Sequence, residues 1–224
     1  MADVIALFPL THVLMPGLAL PLHVFEPRYR ELLSDVCTDD GERSFGVVAL
    51  RRGSEAGSRW PSDGPDLVAV GTLAEIIEVQ PYDDGASDLL AVGSRRFRLC
   101  ELITEGKPYL RASVEWLEES DGALSPAHIG VTRRLCRDYA ELFEALSGRA
   151  YDEELPTEGN LLSYHVAGRL PLPQSDRQAM LEEPTAEARL RHAIKLLRRE
   201  LRLLQATSSV AVAPPVLQLA VHPN

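Results

Sequence analysis

The chain is short of cysteine, lysine and long apolar runs, and each shortage excludes something. Its 224 residues hold three cysteines, Cys37, Cys100 and Cys136, with no pair at C-x-x-C spacing. An odd number so spaced predicts neither a disulfide framework nor a zinc site; the three read as small buried hydrophobes in a reducing compartment. No apolar stretch approaches the ~20 residues that a membrane-spanning helix needs. The opening stretch MADVIALFPLTHVLMPG carries Asp3 and no Lys or Arg, so it lacks the basic region of a signal peptide. A cytoplasmic protein with no membrane association is expected.

Catalytic signatures are scarce as well. The one Gly-Lys dipeptide, Gly106-Lys107, is followed by Pro108, which no phosphate-cradling Walker A loop has. Neither a G-x-S-x-G elbow nor an H-E-x-x-H pair occurs. Histidines stand at 12, 23, 128, 165, 192 and 222, no two of them four apart as helix-borne metal ligands would be. His165 therefore reads as a core or boundary residue. His23 precedes Glu26, whose carboxylate could orient it as a base, but no nucleophile accompanies the pair. No catalytic residue, metal or cofactor is expected.

Charge is abundant but unevenly placed. Lys plus Arg number 23 and Asp plus Glu 33, a net of −10, and only Lys107 and Lys195 are lysines. Residues 1–124 carry 21 acids and 11 bases, whereas residues 125–224 carry 12 of each, so the whole excess lies in the first half. Nucleic-acid affinity rests on basic side chains releasing counterions from phosphates. That half is therefore unsuited to RNA or DNA.

Patterning divides the chain near residue 121. Before it, short apolar runs (Val4–Phe8, Phe45–Leu50, Leu67–Gln80, Leu89–Leu102, Tyr109–Trp116) are broken by Gly, Pro and Asp clusters, as strands are. Tyr82–Gly85 and Thr104–Pro108 suit hairpin turns, and Gly53–Asp66 reads as an exposed loop. Pro27 opens a short helix through Leu33. A mostly antiparallel sheet curled into a barrel or sandwich is expected over residues 1–121. After it, the period becomes helical. One helix runs through Ile129, Leu135, Tyr139, Leu142, Phe143 and Leu146 to a stop at Gly148, and a second runs from Leu161 to Leu170, stopped by Pro171 and Pro173. A third begins at Ser175, with Gln178 completing a capping box. The last carries Leu190, Ile194, Leu197, Leu201 and Leu204, widened by Leu196 and Leu203. A helical bundle is expected over residues 122–206, followed by an extended tail, 207–224. The leucine face is consumed within the bundle, which favours a monomer, with a homodimer through that face the alternative.

The least ordinary stretch is Phe8-Pro9-Leu10, Leu14-Met15-Pro16-Gly17, Leu20-Pro21-Leu22 and Phe25-Glu26-Pro27-Arg28-Tyr29. Its prolines demand sheet edges, bulges or turns, and Gly17 suits a turn with positive φ. The stretch resembles the N-terminal substrate-binding domain of the ATP-dependent Lon proteases, in the form found as a stand-alone protein. Phe45–Val48, Val70–Ile76, Gly93–Arg98 and Leu170-Pro171-Leu172 with Asp176-Arg177-Gln178 extend the resemblance over roughly residues 3–205.

That resemblance implies an α+β fold, a PUA-like β-barrel followed by a small helical bundle. It also implies a non-catalytic module that recognises peptide or unfolded protein, an adaptor in protein quality control working with a separate protease or chaperone. The ATPase and Ser-Lys peptidase of the full protease have no counterpart here. Candidate peptide-binding residues are Phe25, Tyr29 and Phe97 as apolar walls, with Glu26, Arg28, Arg95 and Arg96 as grips for peptide termini or side chains. Arg95 and Arg96, adjacent on a strand, cannot both face one side. The alternative is RNA binding, since PUA-like barrels of other families bind RNA.

Overall fold

The computed structural model describes residues 3–38, 42–51, 65–149 and 154–207. Residues 53–64 of the expected loop and 208–224 of the expected tail lie outside the described residues. Two compact units result, one running up to Glu118 and the other starting at Glu119.

The first unit is a mixed sheet of β1 (Asp3–Leu10), β2 (Ala19–Val24), β3 (Ser44–Ala49), β4 (Val70–Pro81), β5 (Ser87–Ile103) and β6 (Arg111–Trp116), with one helix, α1 (Pro27–Val36). The strand order is β2-β5-β4-β3-β1-β6, and an added β5–β6 pairing closes β5, β4, β3, β1 and β6 into a ring. The 17-residue β5 makes closure possible. Its start lies between β2 and β4, and its end, from Phe97 on, pairs with β6 across a bulge between Leu99 and Glu101. All pairings are antiparallel except β1–β3, which run parallel because β2 and α1 carry the chain back between them.

Turn chemistry is where the sequence places it. Gly85, at φ 81°, closes the β4–β5 hairpin, in which the Tyr82 N–H donates to the Ala86 carbonyl at 2.9 Å. Gly17, at φ 78°, ends the Met15–Leu18 turn and donates to the Gly93 carbonyl at 2.8 Å. The core gathers Phe8, Leu20, Leu22, Val24, Tyr29, Leu32, Phe45, Val47, Ala74 and Leu89, so the inner face of α1 is packed into the sheet. Phe97 is fully buried, and its ring occupies space that side chains at Gly46 and Gly71 would need.

The second unit packs α2 (Pro126–Ser147), α3 (Gly159–Arg169), α4 (Gln174–Glu182) and α5 (Ala186–Thr207). Pro126 opens α2 and Gly148, at φ 67°, closes it. On α5, Leu190, Ile194, Leu196, Leu197 and Leu204 are buried against α2, α3 and α4, while Leu203 is half exposed and does not widen the buried stripe. The expected capping box on α4 does not form. Pro173 takes the N-cap position with no side-chain bond, and Gln178 Nε2 donates one turn forward to Glu182 Oε1 at 2.7 Å. Arg189, wholly buried, fans its guanidinium onto Glu119, Asn160, Ser163 and the Glu183 carbonyl.

The cysteines differ from expectation. Cys100 is exposed and Cys37 and Cys136 are half buried, all three as free thiols. Cys100 follows Arg98 and Leu99 at the β5 bulge, where alternation breaks and its side chain turns outward. No helix among the described residues is long and apolar enough to cross a membrane.

Two carboxylates make the fold sensitive to acid. In the barrel, Lys107 (2.8 Å) and the Tyr109 hydroxyl (2.5 Å) both donate to Asp35 Oδ2, and they hold its carboxyl below the ordinary value. In the helical unit, the Ser125 N–H at 3.0 Å, followed by His128 Nδ1 at 2.6 Å, does the same for Glu187. A carboxylate whose folded pKa lies below its unfolded value contributes stability above the unfolded value and loses it as pH falls through the folded one. The melting temperature should therefore be level between about pH 5 and 7 and fall below about pH 4. In Asp35→Asn and Glu187→Gln the fall should be shallower, as thermal scans across pH would show; an unchanged slope would contradict these assignments.

Candidate functional site

A mostly apolar cleft lies in the barrel unit, where the end of β1, the end of β2 and the start of α1 meet. Phe8, Pro9, Leu10, Leu22, Val24, Phe25, Tyr29 and Leu50 line it, with Thr11, His12, His23, Glu26 and Arg28 at its edges, around a volume of about 120 Å³. Local sequence explains the position. β2 alternates buried Leu20, Leu22 and Val24 with outward-facing neighbours, and Pro27 at the start of α1 turns the chain so that Phe25 stays exposed.

The floor is an aromatic stack. Phe8 and Tyr29 lie with ring centroids 4.0 Å apart and an interplanar angle of 16°. Burial pushes the Tyr29 phenol up to about 12, so it stays neutral and acts as a wall rather than an acid or base. One rim is the Glu26–Arg28 pair, in which Glu26 Oε2 accepts from Arg28 Nε at 2.9 Å and Nη2 at 2.7 Å. The Arg28 guanidinium also lies 4.8 Å from the Tyr29 ring centroid. His23, which also lines the cleft, leads into a polar chain outside it. His23 Nδ1 meets Asp88 Oδ1 at 2.7 Å, and the Tyr82 hydroxyl donates to Asp88 Oδ2 at 2.5 Å. Asp88, held below the ordinary carboxylate value by the Tyr82 and His23 bonds, stays ionised there. Phe25 lies alongside, its ring 6.0 Å from His23. The carboxylate that orients His23 is thus Asp88, 65 residues away, and not Glu26, which Arg28 occupies.

The structure gathers four of the seven candidates in this cleft: Phe25, Glu26, Arg28 and Tyr29. The other three lie elsewhere. Arg96 (1% exposed) and Phe97 (0%) are both buried, on opposite faces of β5, and neither lines this cleft. Strand alternation turns Arg95 outward, where its guanidinium lies 3.8 Å from the Trp116 ring centroid in a separate, polar cleft with Asp3, Glu42, Arg43 and Glu75. Pattern reasoning missed Phe8, Leu10, Leu22 and Val24 as cleft walls, having read them only as strand residues. It also missed Asp88 and Tyr82. The proline spacing was the one available signal, since Pro21 lies on the edge strand β2 and Pro9 in the end of β1 beyond its pairing with β6, where a cleft can open. Among the described residues, no group of three or more His, Cys, Asp or Glu side chains is placed to hold a metal ion.

Comparison with known proteins bears on what the barrel and the helical unit are. The chain is 29% identical over 214 residues to a protein named Lon protease 2 from Myxococcus xanthus, an alignment covering 93% of this chain and 25% of that one. It is 31% identical over 204 residues to Lon protease 2 from Syntrophobacter fumaroxidans, covering 88% and 24%. The chain thus spans about a quarter of the length of these relatives. Among solved structures it resembles a Lon N-terminal domain protein from Xanthomonas campestris (TM-score 0.63, 28% identity, 88% of this chain and 98% of that one). It shares the fold of the N-terminal domain of Mycobacterium avium complex Lon protease (TM-score 0.58, 14% identity, again 88% and 98%). The family model that describes the substrate-binding domain of ATP-dependent protease La (LON) matches residues 4–199, and the chain belongs to that family.

Proposed function

We propose that this chain recognises extended, unfolded segments of other proteins without hydrolysing them, as an adaptor that passes them to a separate protease or chaperone. One observation carries the reading: in a member of a substrate-binding family, the apolar cleft of Phe8, Leu22, Val24 and Tyr29 opens beside an exposed aromatic, Phe25. Apolar walls with fixed polar rims suit a side chain that a folded protein would hide and an unfolded one shows. Stacked Tyr29 and paired Glu26–Arg28 supply shape and contact. None of them is arranged to attack a peptide bond, and the sequence has no phosphate-binding loop for ATP. The leucine face of α5 is taken up inside its own unit, which supports a monomer as the working form.

Titration of a labelled, permanently unfolded protein into the purified chain should give saturable binding at roughly tens of micromolar or tighter. Phe25→Ala should weaken it by about tenfold while leaving the melting temperature unchanged, because the side chain is 44% exposed. Incubation with ATP should release neither cleaved product nor phosphate. Absence of binding, or release of peptide fragments, would overturn the proposal.

A further inference from the structure

We infer that the cleft selects one aliphatic side chain of about leucine size, carried on a segment with basic residues on either side; this rests on the recognition reading above and names the class of segment. Size comes first. The cavity holds about 120 Å³, less than the ~150 Å³ of an engineered apolar cavity that just admits benzene. Its floor cannot retreat. Phe8 and Tyr29 are 7% and 5% exposed and stacked at 4.0 Å, so a larger guest would have to push apart rings already in van der Waals contact. A leucine, isoleucine or methionine side chain fits that space, an indole exceeds it, and an alanine leaves it unfilled.

Charge sets the flanks. The cation nearest the cleft, Arg28, is tied through two nitrogens to Glu26 at 2.9 and 2.7 Å, which neutralises it against an incoming carboxylate. Arg30, next along α1, directs its guanidinium over Gly85 in the β4–β5 turn. Behind His23, which lines the cleft, stands ionised Asp88, bonded to His23 and to the Tyr82 hydroxyl. The described residues of the barrel unit carry 15 acids against 9 bases. A field of that sign draws basic segments and repels acidic ones, most strongly at low ionic strength. Apolar depth and negative surroundings together describe a leucine-class anchor between lysines or arginines.

The test compares otherwise identical, flexible fluorescent peptides with Leu, Trp or Ala at the centre and either Lys or Glu on both sides. Leu between lysines should bind tightest. Trp and Ala at the centre should each weaken binding by about tenfold, and Glu flanks by about tenfold at ~50 mM salt, a difference that should shrink at ~500 mM. Val24→Ala, which enlarges the cleft, should narrow the gap between Leu and Trp; circular dichroism and a cooperative thermal transition would show that the variant folds. Equal binding of Trp and Leu, or of Glu-flanked and Lys-flanked peptides, overturns the inference and leaves the recognition reading standing. No binding by any peptide, with the unfolded protein also unbound, overturns both.

Discussion

Replacing Arg189 with methionine is expected to cost about 3–5 kcal/mol of stability, because the buried guanidinium is the hub of the helical unit's polar interior. Its Nη2 donates to Glu119 Oε2 at 3.0 Å and to Asn160 Oδ1 at 2.5 Å. Nε donates to Ser163 Oγ at 3.0 Å, and Nη1 to the Glu183 carbonyl at 3.0 Å. The same group lies 4.0 Å from the Tyr164 ring centroid, whose hydroxyl donates to Glu119 at 2.8 Å. One side chain thus ties the entry segment, α3, the α4–α5 turn and α5 together. Glu119 is one-third exposed, so water screens its share of the loss. The larger share comes from the neighbours at Ser163, Asn160 and the Glu183 carbonyl, which would lose a charged donor inside a packed unit. Lysine keeps the charge but cannot reproduce the planar fork, so Arg189→Lys should recover less than half of the loss. Chemical denaturation would measure both, and a midpoint within error of wild type would remove Arg189 from this role.

Phe97→Ala is expected to destabilise the barrel by about 3–5 kcal/mol, the range for emptying a large aromatic site. The side chain is wholly shielded from solvent, and its ring meets Trp116 edge-on at a centroid distance of 6.3 Å. The site is built for it by glycine. A Cβ at Gly71 would fall 2.5 Å from the Phe97 ring and 2.4 Å from the Val47 carbonyl, and one at Gly46 would fall 2.9 Å from the ring. Gly71→Ala alone should therefore cost about 1–3 kcal/mol or more. In the Phe97→Ala background its cost should be smaller but not zero, because the Val47 carbonyl is backbone and stays. Strict additivity of the two substitutions would show that the ring and the glycines are not in contact.

Phe97 also shows where sequence reading stops. Strand and helix limits were legible because they are local. Phe45–Leu50 was expected where Ser44–Ala49 forms β3, and Gly148 ends α2 where a helix stop was expected. Contacts between distant residues were not legible. The parallel β1–β3 pairing, the closure of β5 on β6 and the meeting of His23 with Asp88 depend on chain crossings that no spacing encodes. The burial of Arg96, expected to grip peptide, and of Arg189 was not legible, since burial of an arginine depends on partners supplied by the fold. Phe25–Tyr29 were found together because they are neighbours in sequence. The floor beneath them came from Phe8 and Tyr29 stacking across two elements, and Arg95–Phe97 went elsewhere because β5 turns each of them differently.

The central claim, that unfolded segments are held where β1, β2 and α1 meet, is tested most directly by mapping amide chemical shifts while such a segment is titrated in. Saturable shifts are expected at Leu10–His12 and Val24–Tyr29, with Arg95 and Trp116 unmoved. Binding that shifts Arg95 and Trp116 and leaves Phe25 and Tyr29 unchanged would contradict it.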